Sequence, residues 1–234
     1  MINAFDHFVM SLMSDWTQHS AVVNKFIIQF LDLYTVKALP VFFVLWLLWF
    51  GDSTAAEYRP AILRGFIGMF VAGAVARLLG DWLPERVRPL HSGDPDFTPP
   101  LGVTLDAFER WSSFPSDHAA IFFALSTGLW LVSRRVGAMF YAWSIFIVCL
   151  PRLFAGKHYA SDIIAGAAIG IVITMVIARP IAAKLAPSVW AAEKKSHALF
   201  YAGFFALSYQ FTTMFDDVRR TGSALRKLFW TALS

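Results

Sequence analysis

Residues 136–178 read VGAMFYAWSIFIVCLPRLFAGKHYASDIIAGAAIGIVITMVIA. Two apolar runs, 136–151 and 162–178, flank a short polar stretch that carries Arg152, Lys157, His158 and Asp162. Each run is roughly 16 or 17 residues, near the lower end of what crosses a hydrocarbon core of about 30 Å as a helix. The segment therefore reads as helix, turn, helix, with its polar residues at one membrane surface. Similar runs recur at 34–50, 62–80, 118–133 and 198–215, which makes six predicted spans. Without water in the lipid core the backbone must satisfy its own hydrogen bonds, so helix is the expected state of each. The predicted fold is all-α: a polytopic bundle of about six transmembrane helices forming one membrane domain over 1–234.

Composition agrees. The 234 residues are 57% hydrophobic and 15% charged, with a mean hydropathy of +0.56. Soluble domains carry about 25% charged residues, so this chain lacks the polar surface of a water-facing globule. Its net charge is +4, and the basic residues cluster at the ends of apolar runs. That pattern argues against nucleic-acid binding. The single cysteine, Cys149, rules out a disulfide framework. Gly166, Ala167 and Gly170 would let neighbouring helices approach closely.

Residues 1–33 mix apolar side chains with Asp6, His7, Asp15, His19 and Lys25, and read as interfacial amphipathic helices, a tilted or re-entrant pair being the alternative. The 216–234 tail is short, basic and amphipathic. Arg59 and Arg64, Arg134 and Arg135, and Arg179, Lys184, Lys194 and Lys195 fall in connections on one side, the expected cytoplasmic one. The 86–118 connection and the 152–162 turn then share the extracytoplasmic side. A crossing at 198–215 would put Arg219, Arg220, Arg226 and Lys227 outside, against that rule.

His118 and Arg152 are 34 residues apart, about 51 Å of helix at 1.5 Å per residue. That suits one helix in, the Arg134–Arg135 turn, and one helix back, so both ends return to one surface. Arginine forks bind phosphate oxygens, and the helix opening at FPSDH offers an anion site. His158 and Asp162, four apart, would share a helix face, and the carboxylate would hold the ring in its nucleophilic tautomer. A second histidine would protonate the leaving oxygen. These parts describe phosphoryl transfer through a phosphohistidine without a metal or cofactor.

Pro115, Ser116, Asp117 and His118, with Arg152, His158 and Asp162 and with Arg88 and Pro89, resemble the three signature motifs of the type 2 phosphatidic acid phosphatase superfamily of membrane lipid phosphatases. The N-terminal part more loosely resembles the bacitracin-resistance type of undecaprenyl pyrophosphate phosphatase. The resemblance implies His158 as nucleophile, Asp162 as its orienting partner and His118 as general acid. Arg88 and Arg152 would bind phosphate, with Ser116 assisting. The chain departs from the family at Asp81, where a lysine normally stands, and at Pro151, where serine is usual. Arg86 and Lys157 are candidates for the missing positive charge. Arg77 reads first as an i,i+4 partner of Asp81, with the phosphate pocket as its second reading. Asp117 reads as a carboxylate complementing a helix dipole.

The 90–112 segment is expected to cover a lipid headgroup, with Phe97, Leu101, Phe108 and Trp111 on hydrocarbon chain. The resulting expectation is a multi-pass enzyme of the bacterial cytoplasmic membrane acting on a membrane lipid phosphate at the extracytoplasmic face. Undecaprenyl pyrophosphate is the first substrate, followed by phosphatidic acid and phosphatidylglycerol phosphate. Lipid phosphotransfer and a noncatalytic anionic-lipid binder or transporter are the competing functions.

Overall fold

A computed structural model describes residues 2–51, 55–94, 97–100, 103, 112–213 and 222. Among them the chain is helical: α1 (Ala4–His19), α2 (Ala21–Asp32), α3 (Tyr34–Trp49), α4 (Ala55–Trp82), α5 (Asp117–Val132), α6 (Arg134–Phe154), α7 (Ala160–Lys195) and α8 (His197–Thr212). Most of the 90–112 cover and nearly all of the 216–234 tail lie outside the described residues.

Alpha-5 is the axis of the bundle. Its sequence, DHAAIFFALSTGLWLV, is apolar on every side, and a helix of that kind belongs inside. Every residue from Ala119 to Leu129 is buried or nearly so. Alpha-4 packs along it most extensively, then α7 and α6. Small residues set the approach: a Cβ on Gly128 would lie 2.6 Å from the Gly65 Cα, and Cβ atoms on Gly166 and Gly170 would run into the carbonyls of Ser116 and Ala120. The seam between α5 and α7 thus depends on the glycines that the sequence singled out.

The spans differ from the sequence expectation. By length and apolarity α4, α6 and α7 are each able to cross a membrane, and α2 with α3 forms a further candidate bent by 63°. Alpha-5 and α8 have 16 residues each, about 24 Å of helix, less than the hydrocarbon thickness. Six full crossings are therefore not reached on these criteria. Helix α7 also runs through 179–195, expected as a basic loop, and reaches 36 residues. Alanine-rich ARPIAAKLAPSVWAA favours helix strongly enough to carry the chain on.

Both long helices contain a π-helical stretch, Ser144–Cys149 in α6 and Ile173–Ile177 in α7. Each ends just ahead of a proline, Pro151 or Pro180. Proline lacks the N–H that would bond to the carbonyl four residues back and its ring crowds that carbonyl, so the helix widens instead of breaking. In α7 the Thr174 and Met175 carbonyls within this stretch accept hydrogen bonds from Arg64.

At the end of the bundle where α5 and α7 begin, α1 packs against α6 and α7, and α2 against α6. Alpha-1 turns Phe5, Phe8, Leu12 and Trp16 outward and buries Asp6, Met10, Ser14 and Thr17. An apolar outer face suits a helix lying at the membrane interface. The opposite end is closed by Glu193, which joins Arg59 (3.3 Å) and the Tyr201 hydroxyl, while Arg59 stacks on Trp49.

Candidate active site

Three segments far apart in sequence are tied pairwise by backbone hydrogen bonds. Leu90 N–H donates to the Gly156 carbonyl (2.9 Å), Ser113 N–H to Arg86 (2.8 Å), and Ser116 N–H to Asp162 (3.1 Å). The Arg-Pro segment, the PSDH segment and the 155–162 turn therefore form one rigid unit. Gly156 makes the turn possible, with φ at +66°, a region that side chains with a Cβ avoid. Phe97 packs its ring against this glycine.

The unit encloses a cavity of about 50 Å³ lined by Tyr34, Arg77, Asp81, Arg88, Asp117, His118, Arg152 and His158, among others. That is several times the roughly 10–15 Å³ one water needs. Four residues singled out in the sequence, Arg88, His118, Arg152 and His158, meet at its wall.

His158 lies in the turn just ahead of α7 and is buried. Its Nδ1 is 2.8 Å from the Ser113 carbonyl. A carbonyl only accepts, so Nδ1 carries the hydrogen and Nε2 keeps its lone pair. Burial, then the charges of Arg88 and Arg152, push the imidazole pKa well below its ordinary value. The ring is neutral at neutral pH, as a nucleophile must be. Asp162 does not make the bond expected of it. Its Oδ2 is 3.9 Å from Nδ1, beyond hydrogen-bond range, and instead accepts from the Tyr159 N–H at 2.8 Å. His158 precedes the helix rather than sharing a helix face with Asp162, which accounts for the separation.

His118 is oriented by its neighbour. The Asp117 Oδ1 accepts from Nδ1 at 2.7 Å, and Nε2 accepts from the Arg152 guanidinium. Asp117 is thus more than a helix-dipole carboxylate. Arg152 leaves its buried Nε without a partner among the described residues. A buried donor at a cavity wall is what an incoming oxyanion satisfies. Arg88 donates to the Lys157 carbonyl at 2.7 Å. Burial lowers its pKa to about 10, with the Arg152 charge adding to the fall and Asp117 opposing it.

The remaining candidates fall elsewhere. Ser116 is buried as the N-cap of α5, its hydroxyl accepting from the Ala119 N–H. The Lys157 side chain does not line the cavity; its carbonyl serves by holding Arg88. Arg86 turns away from the cavity: it donates to Asp6 at 2.7 Å, to the Ser161 hydroxyl at 2.8 Å and to Asp162. Two carboxylates, Asp6 in α1 and Asp162 in the first turn of α7, claim this guanidinium. Arg77, read first as an i,i+4 partner of Asp81 and second as reaching the phosphate pocket, lines the cavity with Asp81. Tyr34, its ring centroid 6.3 Å from that of His118, and the Ser113 carbonyl carried no signal in the sequence.

Buried arginines and two histidines around a small cavity, set into one end of an apolar helical bundle, define a membrane protein built to handle an oxyanion. The family is then identified directly: the PAP2 superfamily profile matches residues 62–185, and the chain belongs to that superfamily. It is 26% identical over 179 residues to the Bacitracin transport permease protein BcrC of Bacillus licheniformis, covering 75% of this chain and 78% of that one. It is 33% identical over 156 residues to the Lipid A 1-phosphatase of Rhizobium etli, covering 61% of this chain and 65% of the relative. A second Lipid A 1-phosphatase, from Rhizobium johnstonii, is 33% identical over 157 residues. No solved structure matches the chain.

Proposed function

We propose that this protein hydrolyses the phosphate or pyrophosphate headgroup of a membrane lipid through a phosphohistidine formed on His158. The observation that carries the reading is the His158 ring itself: neutral, held through Nδ1 by a carbonyl, with its Nε2 lone pair on a cavity walled by Arg88 and Arg152. Arg88 and Arg152 take the phosphoryl oxygens and neutralise the charge that spreads over them. When Arg152 turns from His118 to a phosphoryl oxygen, His118 Nε2 is released to carry a proton, and Asp117 balances the imidazolium. His158 Nε2 then attacks phosphorus in line, the bond to the leaving oxygen breaks, and His118 protonates that oxygen. Water next attacks the phosphohistidine with His118 as base, the phosphorus–nitrogen bond breaks, and phosphate leaves.

Undecaprenyl pyrophosphate is the first substrate, supported by the likeness to a bacitracin-linked protein over three quarters of the chain. The 1-phosphate of lipid A is the second, supported by the higher identity to two proteins of that name. The site is assigned to the extracytoplasmic face of a bacterial cytoplasmic membrane, because the end opposite the cavity gathers Arg59, Arg64, Arg134, Arg135 and Arg179.

The test is phosphate release in detergent from undecaprenyl pyrophosphate, lipid A, phosphatidic acid and phosphatidylglycerol phosphate, with His158→Ala beside the wild type. Release that disappears in the variant, together with an acid-labile phosphoryl label on the wild type alone, is expected. Equal rates in both proteins would refute the mechanism, and a wild type that binds these lipids without release would favour the noncatalytic binder.

A further inference from the structure

Asp6 belongs to the N-terminal helix, outside the 62–185 region that defines the family match, yet its carboxylate is heavily engaged beside the site. It is fully buried. Its Oδ1 accepts from the Ser161 N–H at 2.9 Å, and its Oδ2 accepts from the Ser161 hydroxyl and from Arg86, both at 2.7 Å. Burial alone would raise its pKa, but the Ser161 hydroxyl and N–H and the Arg86 guanidinium outweigh that and hold it below the ordinary carboxyl value. The carboxylate is ionised and fully used.

What it grips is the first turn of α7. Ser161 has one of the orphan N–H groups that open a helix, normally met by a capping side chain from the same chain segment. Here the cap comes from a helix 155 residues earlier. Arg86, bridging Asp6 and Asp162, lies over the Tyr159 ring at 4.2 Å from its centroid. The residues gripped are thus Tyr159, Ser161 and Asp162, and His158 is the next residue back along the chain. A cluster of two carboxylates and one guanidinium, all turned away from the cavity, fixes the backbone that aims the proposed nucleophile.

We propose that Asp6 is a positioning residue of the phosphate site, acting through Ser161 and Arg86 on the turn that presents His158. The inference rests on the phosphohistidine reading above. It makes the N-terminal helix a working part of the site and not only an anchor in the interface. Arg88 and Arg152 are held by other bonds, so phosphate binding does not pass through Asp6. A misplacement of about 1 Å at a reacting atom costs roughly a hundredfold in rate, which sets the scale.

The experiment compares Asp6→Asn and Asp6→Ala with Ser14→Ala in the full chain. Ser14 accepts from the Thr98 N–H at 3.0 Å, so its loss loosens the same helix without touching α7. Active sites are counted by orthovanadate binding, and kcat is expressed per vanadate site. For the Asp6 variants the expected result is a fall in kcat of about tenfold to a hundredfold, with vanadate affinity and KM within about threefold of wild type. Ser14→Ala is expected to keep its kcat. Asp6 variants that lose sites or melt earlier while keeping wild-type kcat per site would overturn the proposal, as would equal losses in Asp6→Asn and Ser14→Ala. A wild type that releases no phosphate defeats the hydrolase reading; an active wild type matched by both Asp6 variants defeats this inference alone.

Discussion

Asp117→Asn separates two accounts of one carboxylate. As a charge complementing the start of α5, Asp117 would contribute about 0.3–1 kcal/mol to stability and nothing to the chemical step. As the partner of His118, its Oδ1 receives the Nδ1 hydrogen at 2.7 Å and must stabilise the imidazolium during proton donation. A hydrogen bond to a charged group is worth about 1.5–3 kcal/mol, which at about 1.4 kcal/mol per decade corresponds to a loss of roughly tenfold to 150-fold in kcat. Asparagine keeps the shape and can still accept from Nδ1, so geometry is preserved and the charge alone is removed. The assay is phosphate release with two leaving groups, a lipid alcohol from a monophosphate and a lipid phosphate from a pyrophosphate. A lipid alcohol is the poorer leaving group and depends more on protonation, so its kcat should fall further. Equal small losses on both substrates, or a change confined to KM, would refute the assignment of His118 as acid and Asp117 as its partner.

Four other expectations follow from the same geometry. His158 has a depressed pKa, so it loses its lone pair only as pH falls through that lowered value; the acid limb of kcat/KM should lie below the ordinary histidine value of about 6.5, and a limb centred there would contradict the burial argument. On the alkaline side, Arg88 titrates near 10, so KM should climb as pH approaches about 10 while kcat at saturation holds longer. Gly156→Ala forces a Cβ at φ +66° to within 3.0 Å of the Leu90 nitrogen and into the Phe97 ring, at a cost of about 1–2 kcal/mol for the backbone alone, and should lower both the melting temperature in detergent and kcat. Arg77→Ala should raise KM for a pyrophosphate lipid more than for a monophosphate, since Arg77 stands at the cavity wall as a third cation; equal KM changes would return it to the structural i,i+4 pair with Asp81 first read from the sequence.

The legible parts of the site were those fixed by helix length. His118 and Arg152 sit 34 residues apart, and two helices with a tight turn bring them together in any membrane bundle, as they do here. Arg88 and His158 were legible through motif spacing. Arg86 was not, because its partners Asp6 and Asp162 lie 80 and 76 residues away, and nothing local distinguishes a guanidinium bound by carboxylates from one awaiting phosphate. Asp117 does stand in the first turn of α5, as read, but its bond to His118 was not legible, because adjacent residues are not expected to share a helix face, whereas here the carboxylate folds back onto the next ring. The Asp162–His158 separation was hidden by one assumption, that the helix began before His158. For the fold, helical class and the glycine seam were plain, but a uniformly apolar α5 gives no directional moment and so conceals that it is the buried axis. The continuation of α7 was masked by its lysines and prolines, which look like loop residues until the alanines between them are weighed.

The length of α7 also supplies a ruler for sidedness. At 1.5 Å per residue its 36 residues measure about 54 Å, against a hydrocarbon core of about 30 Å. With its first turn at the His158 cavity, close to one membrane surface, the far turns bearing Lys194 and Lys195 must stand clear of the other surface. Cys149 is buried, so an impermeant thiol reagent would report single cysteines placed at Ser92 and at Lys195 without interference. Those two positions should label from opposite sides of a sealed vesicle, and whichever side reaches Ser92 is the side on which the proposed hydrolysis takes place.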